Sequence, residues 1–195
     1  MSGRAAILNT IKNNKPAATA LPFIDVSAAI QYIDLLQQYK TVLESIGGSW
    51  QELNNEIELE AAIQSITGTS TAVVNTMLSL PKDLAGVDAV ALEPTAIAIM
   101  KGLVAVAENA AIWVTEEQMV NRLLPFICQQ LVLVINEHDI VPTMHHAYKK
   151  INVAATGFGV FIAGPSKTAD IEQSLVIGAH GPIGLKVIIV KNKYV

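Results

Sequence analysis

Apolar residues recur at helical spacing in the first part of the chain. Residues 3–13 form one such segment, because Ile7, Leu8 and Ile11 fall on one side of a helix. Residues 14–24 follow with two prolines and without periodicity, which is typical of an extended linker. The start of the chain therefore predicts a short helix joined to the rest by a linker.

A longer helix is predicted from Ser27 to the Gly47-Gly48 pair, where glycine favours the end of a helix. Residues 50–53 then predict a short strand, and Asn55 is placed to cap a further helix. The apolar residues that define one stripe of the long helix are Ile30, Ile33, Leu36, Tyr39 and Leu43.

From residue 72 onwards, short β-rich runs alternate with helical pieces near 117–124, 143–150 and 168–176. The runs are "TAVVNTM", "DAVALE", "GLVAVA", "AAIWVT", "LVLVI", "GVFIAG" and "LKVIIV". This alternation predicts an α/β sheet. Hydrophobic residues make up 51% of the chain and charged residues 15%, which suits a sheet covered on both faces.

The segment "VAENAAIWV" predicts two strands joined by a tight turn that carries Glu108 and Asn109. A carboxylate between apolar strands is costly to bury, so we expect it at a sheet edge or a cleft, where it could act as a base or a nucleophile. The alternative is structural, because Glu-Asn also suits the tip of a hairpin. The local pattern leaves both interpretations open.

The segment from 164 to 182, "GPSKTADIEQSLVIGAHGP", predicts a strand end, a loop and a helix. Ser166 or Thr168 could cap that helix, and Asp170 would lie in its first turn. Free backbone amides at a helix start bind anions, and Lys167 adds a positive charge there. The alternative is an ordinary capped helix with no ligand.

His180 follows the predicted helix, and the strand–helix–strand path could return it to the same edge of the sheet. A metal site is not expected at His138, His145 or His146, since adjacent histidines on a helix point in different directions. Capping of a helix by Thr143 explains that segment better. No nucleotide-binding glycine motif occurs in the chain.

Charge and cysteine content exclude several classes of function. The net charge of −4 and the absence of a basic tract disfavour nucleic-acid binding. No apolar stretch reaches the roughly 18 residues of a membrane span, and the start is too polar for a secretory signal, so we expect a cytoplasmic protein. The single cysteine, Cys128, cannot supply a disulfide or a metal cluster alone, and we interpret it as a buried apolar residue rather than a catalytic thiol.

The segment from Gly164 to Val190 resembles the carboxy-terminal signature of the lactate-utilisation domain (LUD) proteins, the LutC/YkgG family. "VAENAAIWV" is similar to that family's second signature, and "GRAAILNTIKN" is similar to its opening helix. The matching residues of the main signature are Gly164, Pro165, Ser166, Lys167, Thr168, Ala169, Asp170, Ile171, Glu172, Gly178, His180, Gly181 and Pro182.

The resemblance implies a three-layer α/β/α fold like that of the NagB/RpiA/CoA-transferase superfamily. We divide the chain into an N-terminal helix and linker, residues 1–26, and a LUD-type α/β domain, residues 27–195. The resemblance also implies a part in oxidising L-lactate to pyruvate with iron–sulfur partner proteins. We expect no cofactor in this chain, because the cysteines for a cluster are missing.

The predicted site joins Glu108 as base or nucleophile and His180 as acid–base or orienting group. Asn109, Ser166, Lys167, Thr168 and Asp170 would bind a small carboxylate or phosphate. The Glu108 turn is also similar to the catalytic turn of some CoA transferases, although Ala107 and Ala110 stand where serine and glycine occur there, and Ala110 predicts a differently shaped loop. An acyl- or phosphosugar-acting enzyme and a non-catalytic assembly subunit remain alternatives, and a homodimer is left open.

Overall fold

A computed structural model describes residues 3–17, 19–20, 22–77, 84–169 and 175–191. The helices are α1 (Gly3–Asn13), α2 (Leu35–Ser45), α3 (Glu56–Thr67), α4 (Ala89–Leu92), α5 (Glu116–Met119), α6 (Leu124–Ile127), α7 (Met144–Lys150) and α8 (Val153–Thr156). The strands are β1 (Ser49–Leu53), β2 (Val73–Asn75), β3 (Ile97–Lys101), β4 (Val104–Val106), β5 (Ile112–Thr115), β6 (Gln130–Asn136), β7 (Ile140–Val141), β8 (Gly159–Ile162), β9 (Lys167–Ala169), β10 (Leu175–Ile177) and β11 (Gly184–Val190).

Five parallel strands form the central sheet, in the order β1-β11-β6-β3-β2. Its middle strand β6 pairs over its full length with β11, from Gln130 opposite Gly184 to Asn136 opposite Val190. β6 and β11 are almost wholly buried, which explains why their sequences are near-continuous apolar runs. The carboxyl ends of all five strands lie at one edge, which we call the carboxyl edge.

A second sheet has the order β7-β4-β5-β8 and packs against one face of the central sheet. β4 and β5 form the predicted antiparallel hairpin, and β5 pairs with β8 so that Ile112 lies opposite Ile162. Gly102 links β3 to β4 at the point where the chain passes from the first sheet to the second. This direct link sets the two sheets close together.

Alternate residues of each central strand enter different cores. Leu131, Leu133 and Ile135 of β6 face α2 and the second sheet, while Val132 and Val134 pack with α3. Helices therefore flank the parallel sheet, and with α1 present the predicted α/β fold with an N-terminal helix is confirmed. The second sheet was not foreseen as a separate layer.

Several predicted elements are confirmed with their boundaries. Asn55 caps α3, since its side chain accepts the Glu58 amide at 3.0 Å. α1 occupies the predicted residues, but none of its residues is buried, and Ile7, Leu8 and Ile11 are all exposed. The division at residue 26 stays a prediction.

The long helix predicted from Ser27 is wrong over its first eight residues. Asp25 accepts hydrogen bonds from both the amide and the hydroxyl of Ser27, which closes a 3-10 turn, and Ala29 after that turn is extended. The helix begins only at Leu35, where the Asp34 side chain accepts the Gln37 amide at 2.8 Å. Local aspartate capping therefore overrides the apolar periodicity of the segment.

Two other predicted elements differ from the structure. "DAVALE" is not a strand but holds the helical turn α4, because the Asp88 side chain caps the Ala91 amide at 3.0 Å. The next strand of the central sheet along the chain is β3, which was not predicted from the sequence. The helix predicted over 117–124 is split into α5 and α6, since Val120 has a φ of 61° and ends the first of them.

Cys128 lies in the core, with 1% of its surface exposed. Burial raises the pKa of the Cys128 thiol to about 12, so the thiolate is scarce at neutral pH. The predicted role as a buried apolar residue is confirmed, and a catalytic thiol is not supported at this position.

We expect Gly102→Ala to lower the free energy of unfolding by about 1–3 kcal/mol, because the added methyl would overpack the contact between the sheets. A Cβ at this position would overlap the side chain of Ile112 and would lie 2.8 Å from Cγ2 of Ile135. Urea unfolding measures the loss. Gly86→Ala is the control, since a Cβ there meets nothing within 4 Å, and equal stability of the two variants would contradict the proposed close approach.

Candidate functional site

The turn between β4 and β5 is closed by its own polar groups. The Val106 amide donates to the carbonyl of Ala111 at 2.9 Å, and the Asn109 side-chain oxygen accepts the Ala111 amide at 3.0 Å. Ala110 has a φ of 55° and is fully buried. The Cβ of Ala110 does not keep this residue out of the left-handed conformation, which alanine takes at a cost of roughly 1–2 kcal/mol. That the loop differs in shape from the CoA-transferase turn stays a prediction.

Glu108 is exposed, and its carboxylate is bound to the start of α7. Its Oε2 accepts the Met144 amide at 3.0 Å, while its own amide donates to the carbonyl of Pro142 at 3.0 Å. A carboxylate at a helix N-terminus satisfies a free amide and interacts favourably with the helix dipole. Glu108 thus has a structural role in joining the turn to α7.

Thr143 stands at the cap position of α7, as predicted, but its side chain makes no capping hydrogen bond. Its hydroxyl lies 2.9 Å from Nδ1 of His146. Glu108 supplies the side-chain acceptor for this helix from a distant part of the sequence. The Thr143–His146 pair was not foreseen, because a hydroxyl three residues before a histidine is a weak signal.

The signature segment begins with a close contact to the end of α2. Gly164 has a φ of 72°, and a Cβ on it would lie 3.1 Å from the carbonyl oxygen of Ile46. The side chain of Lys167 reaches the same place, with its Nζ 3.7 Å from the position that a Cβ on Gly47 would occupy. A cation is favourable beside the carboxyl end of a helix, so Lys167 also has a structural explanation.

The helix predicted over 168–176 is wrong at both of its ends, which are strands, and its middle, residues 170–174, lies outside the described residues. β9 and β10 instead pair in antiparallel register, with Lys167 opposite Ile177 and Ala169 opposite Leu175. The amide of Ser166 donates to Pro182 and its carbonyl accepts from Gly178, so the base of this hairpin is closed by backbone hydrogen bonds. With strands on both arms, the described residues provide no helix start at Ser166 to bind an anion.

The turn that holds His180 packs onto Ser166. A Cβ on Gly181 would lie 3.0 Å from Cβ and 3.3 Å from Oγ of Ser166, so only glycine permits this approach without a shift. His180 itself is exposed. Thr168 lies in β9 opposite Val176, and Asp170 lies outside the described residues.

The strand pairing brings most of these segments to one end of the second sheet, which we call the turn end. β8 ends opposite Ile112, two residues after the turn at Ala110, and leads directly to Gly164. β4 and β8 lie on either side of β5, so their backbones are roughly 10 Å apart. The Glu108 carboxylate binds Met144 on the β7 side, away from the Ser166 loop.

A row of charges near the carboxyl edge was missed by sequence reasoning. The ammonium group of Lys40, a residue only 7% exposed, forms an ion pair with Oε1 of Glu52 and lies 4.4 Å from the centre of the Trp50 ring. The other oxygen of Glu52 lies 3.0 Å from Nζ of Lys191. The available signal for this row was the position of Lys40, a charged residue four positions after Leu36 on the apolar stripe of the predicted helix.

A cavity of about 470 Å³ opens beside this row at the carboxyl edge. The 3-10 turn Glu137–Asp139 between β6 and β7 contributes one part of its lining, and the first turn of α2 contributes another. The lining residues are Leu35, Leu36, Glu137, His138, Ile140 and Lys191.

Within the described part of the chain, no group of three or more histidine, cysteine, aspartate or glutamate side chains is arranged to hold a metal ion. The same residues contain no helix that is long and apolar enough to span a bilayer.

Comparison with known proteins agrees with the fold. A crystal structure of a DUF162 family protein from Deinococcus radiodurans superposes with a TM-score of 0.63 at 21% identity, over 80% of this chain and 96% of that chain. The LUD domain family model matches residues 90–190, just over half of the chain. The α/β chain therefore belongs to the LUD domain family.

Curated relatives match part of the chain. "Lactate utilization protein C" of Bacillus pumilus is 36% identical over 83 residues, which are 40% of this chain and 35% of the relative. "Lactate utilization protein C" of Geobacillus kaustophilus is 28% identical over 109 residues, 53% of this chain and 45% of that protein. The chain thus aligns with less than half of the length of each of these relatives.

We expect Glu108→Ala to reduce the free energy of unfolding by about 1 kcal/mol, since the Met144 amide would lose its acceptor. Glu108→Gln should cost less, because its amide oxygen can accept the same hydrogen bond. Urea unfolding compares the two variants. Equal stability of Glu108→Ala and wild type would show that the contact contributes nothing to the fold.

Proposed function

We propose that this protein takes part in lactate utilisation, in the oxidation of L-lactate to pyruvate. The family membership supports the proposal, together with similar proteins that are named for lactate utilisation. Oxidation of a 2-hydroxy acid to a 2-oxo acid releases two electrons and two protons. An electron acceptor is therefore needed.

Iron–sulfur partner proteins are the proposed electron acceptors. A cluster requires several thiolates, and this chain has one cysteine, which is buried and whose pKa is raised. In this proposal the protein binds the small organic anion or positions the partners, and the electrons pass to clusters that the partners hold.

The turn end is the proposed place for acid–base chemistry. Glu108 and His180 are both exposed there, and Lys167 offers a cation at the adjoining loop. Asn109 and Ser166 supply further polar groups, with Thr168 and Asp170 next in the chain. Because Glu108 already accepts a hydrogen bond from Met144, it would act as a base only through its remaining lone pairs.

A non-catalytic assembly role is the second candidate, favoured by the N-terminal segment. Residues 1–24 contain three basic residues and no acidic ones, so they carry a charge of +3 on an acidic chain. Phe23 is 89% exposed and Ile33 is fully exposed, in addition to the apolar side of α1. Such a segment suits docking onto an acidic partner surface.

We expect disruption of the gene, in the organism that carries it, to abolish growth on L-lactate as sole carbon source and to leave growth on pyruvate intact. Pyruvate is the product of the proposed oxidation, so it bypasses the missing step. Growth curves on the two carbon sources are the measurement, and the intact gene should restore growth. Equal growth of the disrupted and parent strains on lactate would refute the proposed role.

We also expect the tagged full-length protein to co-purify with proteins that show iron–sulfur absorption. Leu8→Glu together with Ile11→Glu should weaken this capture if the N-terminal segment docks the partners, because the charges interrupt its apolar side. Asn9→Glu together with Thr10→Glu is the charge-matched control on the same helix, at two exposed polar residues. If the wild type and both variants capture iron–sulfur proteins equally, the docking surface lies elsewhere on the protein.

A further inference from the structure

We propose that the cavity at the carboxyl edge is a second anion site, separate from the turn end, and that it binds a short 2-hydroxy carboxylate. The choice of this ligand class rests on the proposed function, whereas the location rests on the structure alone. Ligands of open parallel sheets bind outside the carboxyl ends of the strands. A volume of about 470 Å³ lies within the range of small-molecule sites.

Lys191 supplies the cation for the ligand carboxylate. Its side chain is 45% exposed and lines the cavity, with Nζ 3.0 Å from Oε2 of Glu52. Glu52 is shared with Lys40, so two ammonium groups face one carboxylate. The row by itself therefore has a formal charge of +1, which attracts an anion to Lys191, while the carboxylate of Glu137 in the same cavity lining opposes that attraction.

The burial of Lys40 is the strongest indication that this row serves a ligand. Removing an ammonium group from water is costly, and well-packed apolar residues usually replace a buried ion pair without loss of stability. Lys40 nevertheless lies one helical turn after the cavity residue Leu36. Held between Trp50 and Glu52, it fixes the carboxylate that in turn orients Lys191.

Glu137 and His138 supply acceptors for the ligand hydroxyl. The 3-10 turn that carries them is held by two contacts: the Asn136 side-chain amide donates to Asp139 at 3.0 Å, and the Lys150 ammonium donates to the carbonyl of His138 at 3.4 Å. A carboxylate oxygen or the unprotonated nitrogen of a neutral imidazole can accept a hydrogen bond from a hydroxyl group. Glu137 repels every anion, and a ligand with a hydroxyl donor offsets that repulsion by a hydrogen bond.

Three apolar side chains complete the match with this class of ligand. Leu35, Leu36 and Ile140 line the same cavity and can cover a short alkyl group. A 2-hydroxy acid presents an anion, a hydroxyl donor on the next carbon and a small apolar substituent. The cavity offers the complement of each of these three groups.

Binding of L-lactate and of propionate by the full-length protein tests the proposal, with isothermal titration calorimetry as the measurement. Propionate lacks the hydroxyl, which would leave a polar group of the site unpaired, so we expect it to bind at least about tenfold more weakly than lactate. Lys191→Met should raise the Kd for lactate by about tenfold or more, whereas Lys149→Met on exposed α7 should leave it unchanged. A thiol reagent checks that each variant is folded, because Cys128 is buried and reacts only when the protein unfolds.

His138→Ala gives a second measurement at an exposed residue, where loss of folding is not expected. We expect it to weaken lactate more than propionate. Equal affinities for the two acids would overturn the hydroxyl recognition. If lactate binding survives Lys191→Met but is lost in Lys167→Met, the ligand binds at the turn end instead. Absence of binding at millimolar lactate would overturn the cavity site. The growth experiment tests the role in lactate utilisation independently of this site.

Discussion

The parallel sheet can exist only with both of its faces covered, since its strands carry apolar side chains on both sides. α3 covers one face, and α2 with the second sheet covers the other. That second cover is possible because the chain passes from β3 to β4 through Gly102, without an intervening helix. The positions of both functional regions follow, since one lies where the central strands end and the other lies at the turns of the covering sheet.

The signature segment has a structural meaning that its polar residues conceal. Gly164 permits a left-handed turn against Ile46, and Gly178 has a φ of 81° at the base of the β9–β10 hairpin. Together with the backbone bonds of Ser166, these glycines fasten the hairpin to the end of α2. Part of the motif therefore reflects chain geometry rather than chemistry, and among the members whose side chains the structure describes, the exposed Lys167 and His180 are left for other roles.

The central strands could be predicted because an apolar run buried on two sides has few alternatives. β6 and β11 are such runs, and the β4–β5 hairpin was visible from its turn. The segment 168–176 was assigned wrongly at its described ends, since serine, threonine and aspartate suit a helix cap and a hairpin equally, and the pairing of β9 with β10 cannot be read from these residue types. At the site, Glu108 was identified but its bond to Met144 was not, because the two residues are 36 positions apart. The Lys40–Glu52–Lys191 row depends in the same way on contacts that sequence spacing does not reveal.

The place of the last strand in the sheet has a consequence for synthesis on the ribosome. Among the strands that the structure describes, β1 pairs only with β11, and β11 separates it from β6. Residues 49–53 are made before their partner at 184–190, so the edge of the sheet stays open until the 130 residues between them have been translated. During that interval one edge of β6 is unpaired and the side of α3 that packs on β11 is uncovered, a state in which unpaired strand edges and apolar surface favour aggregation.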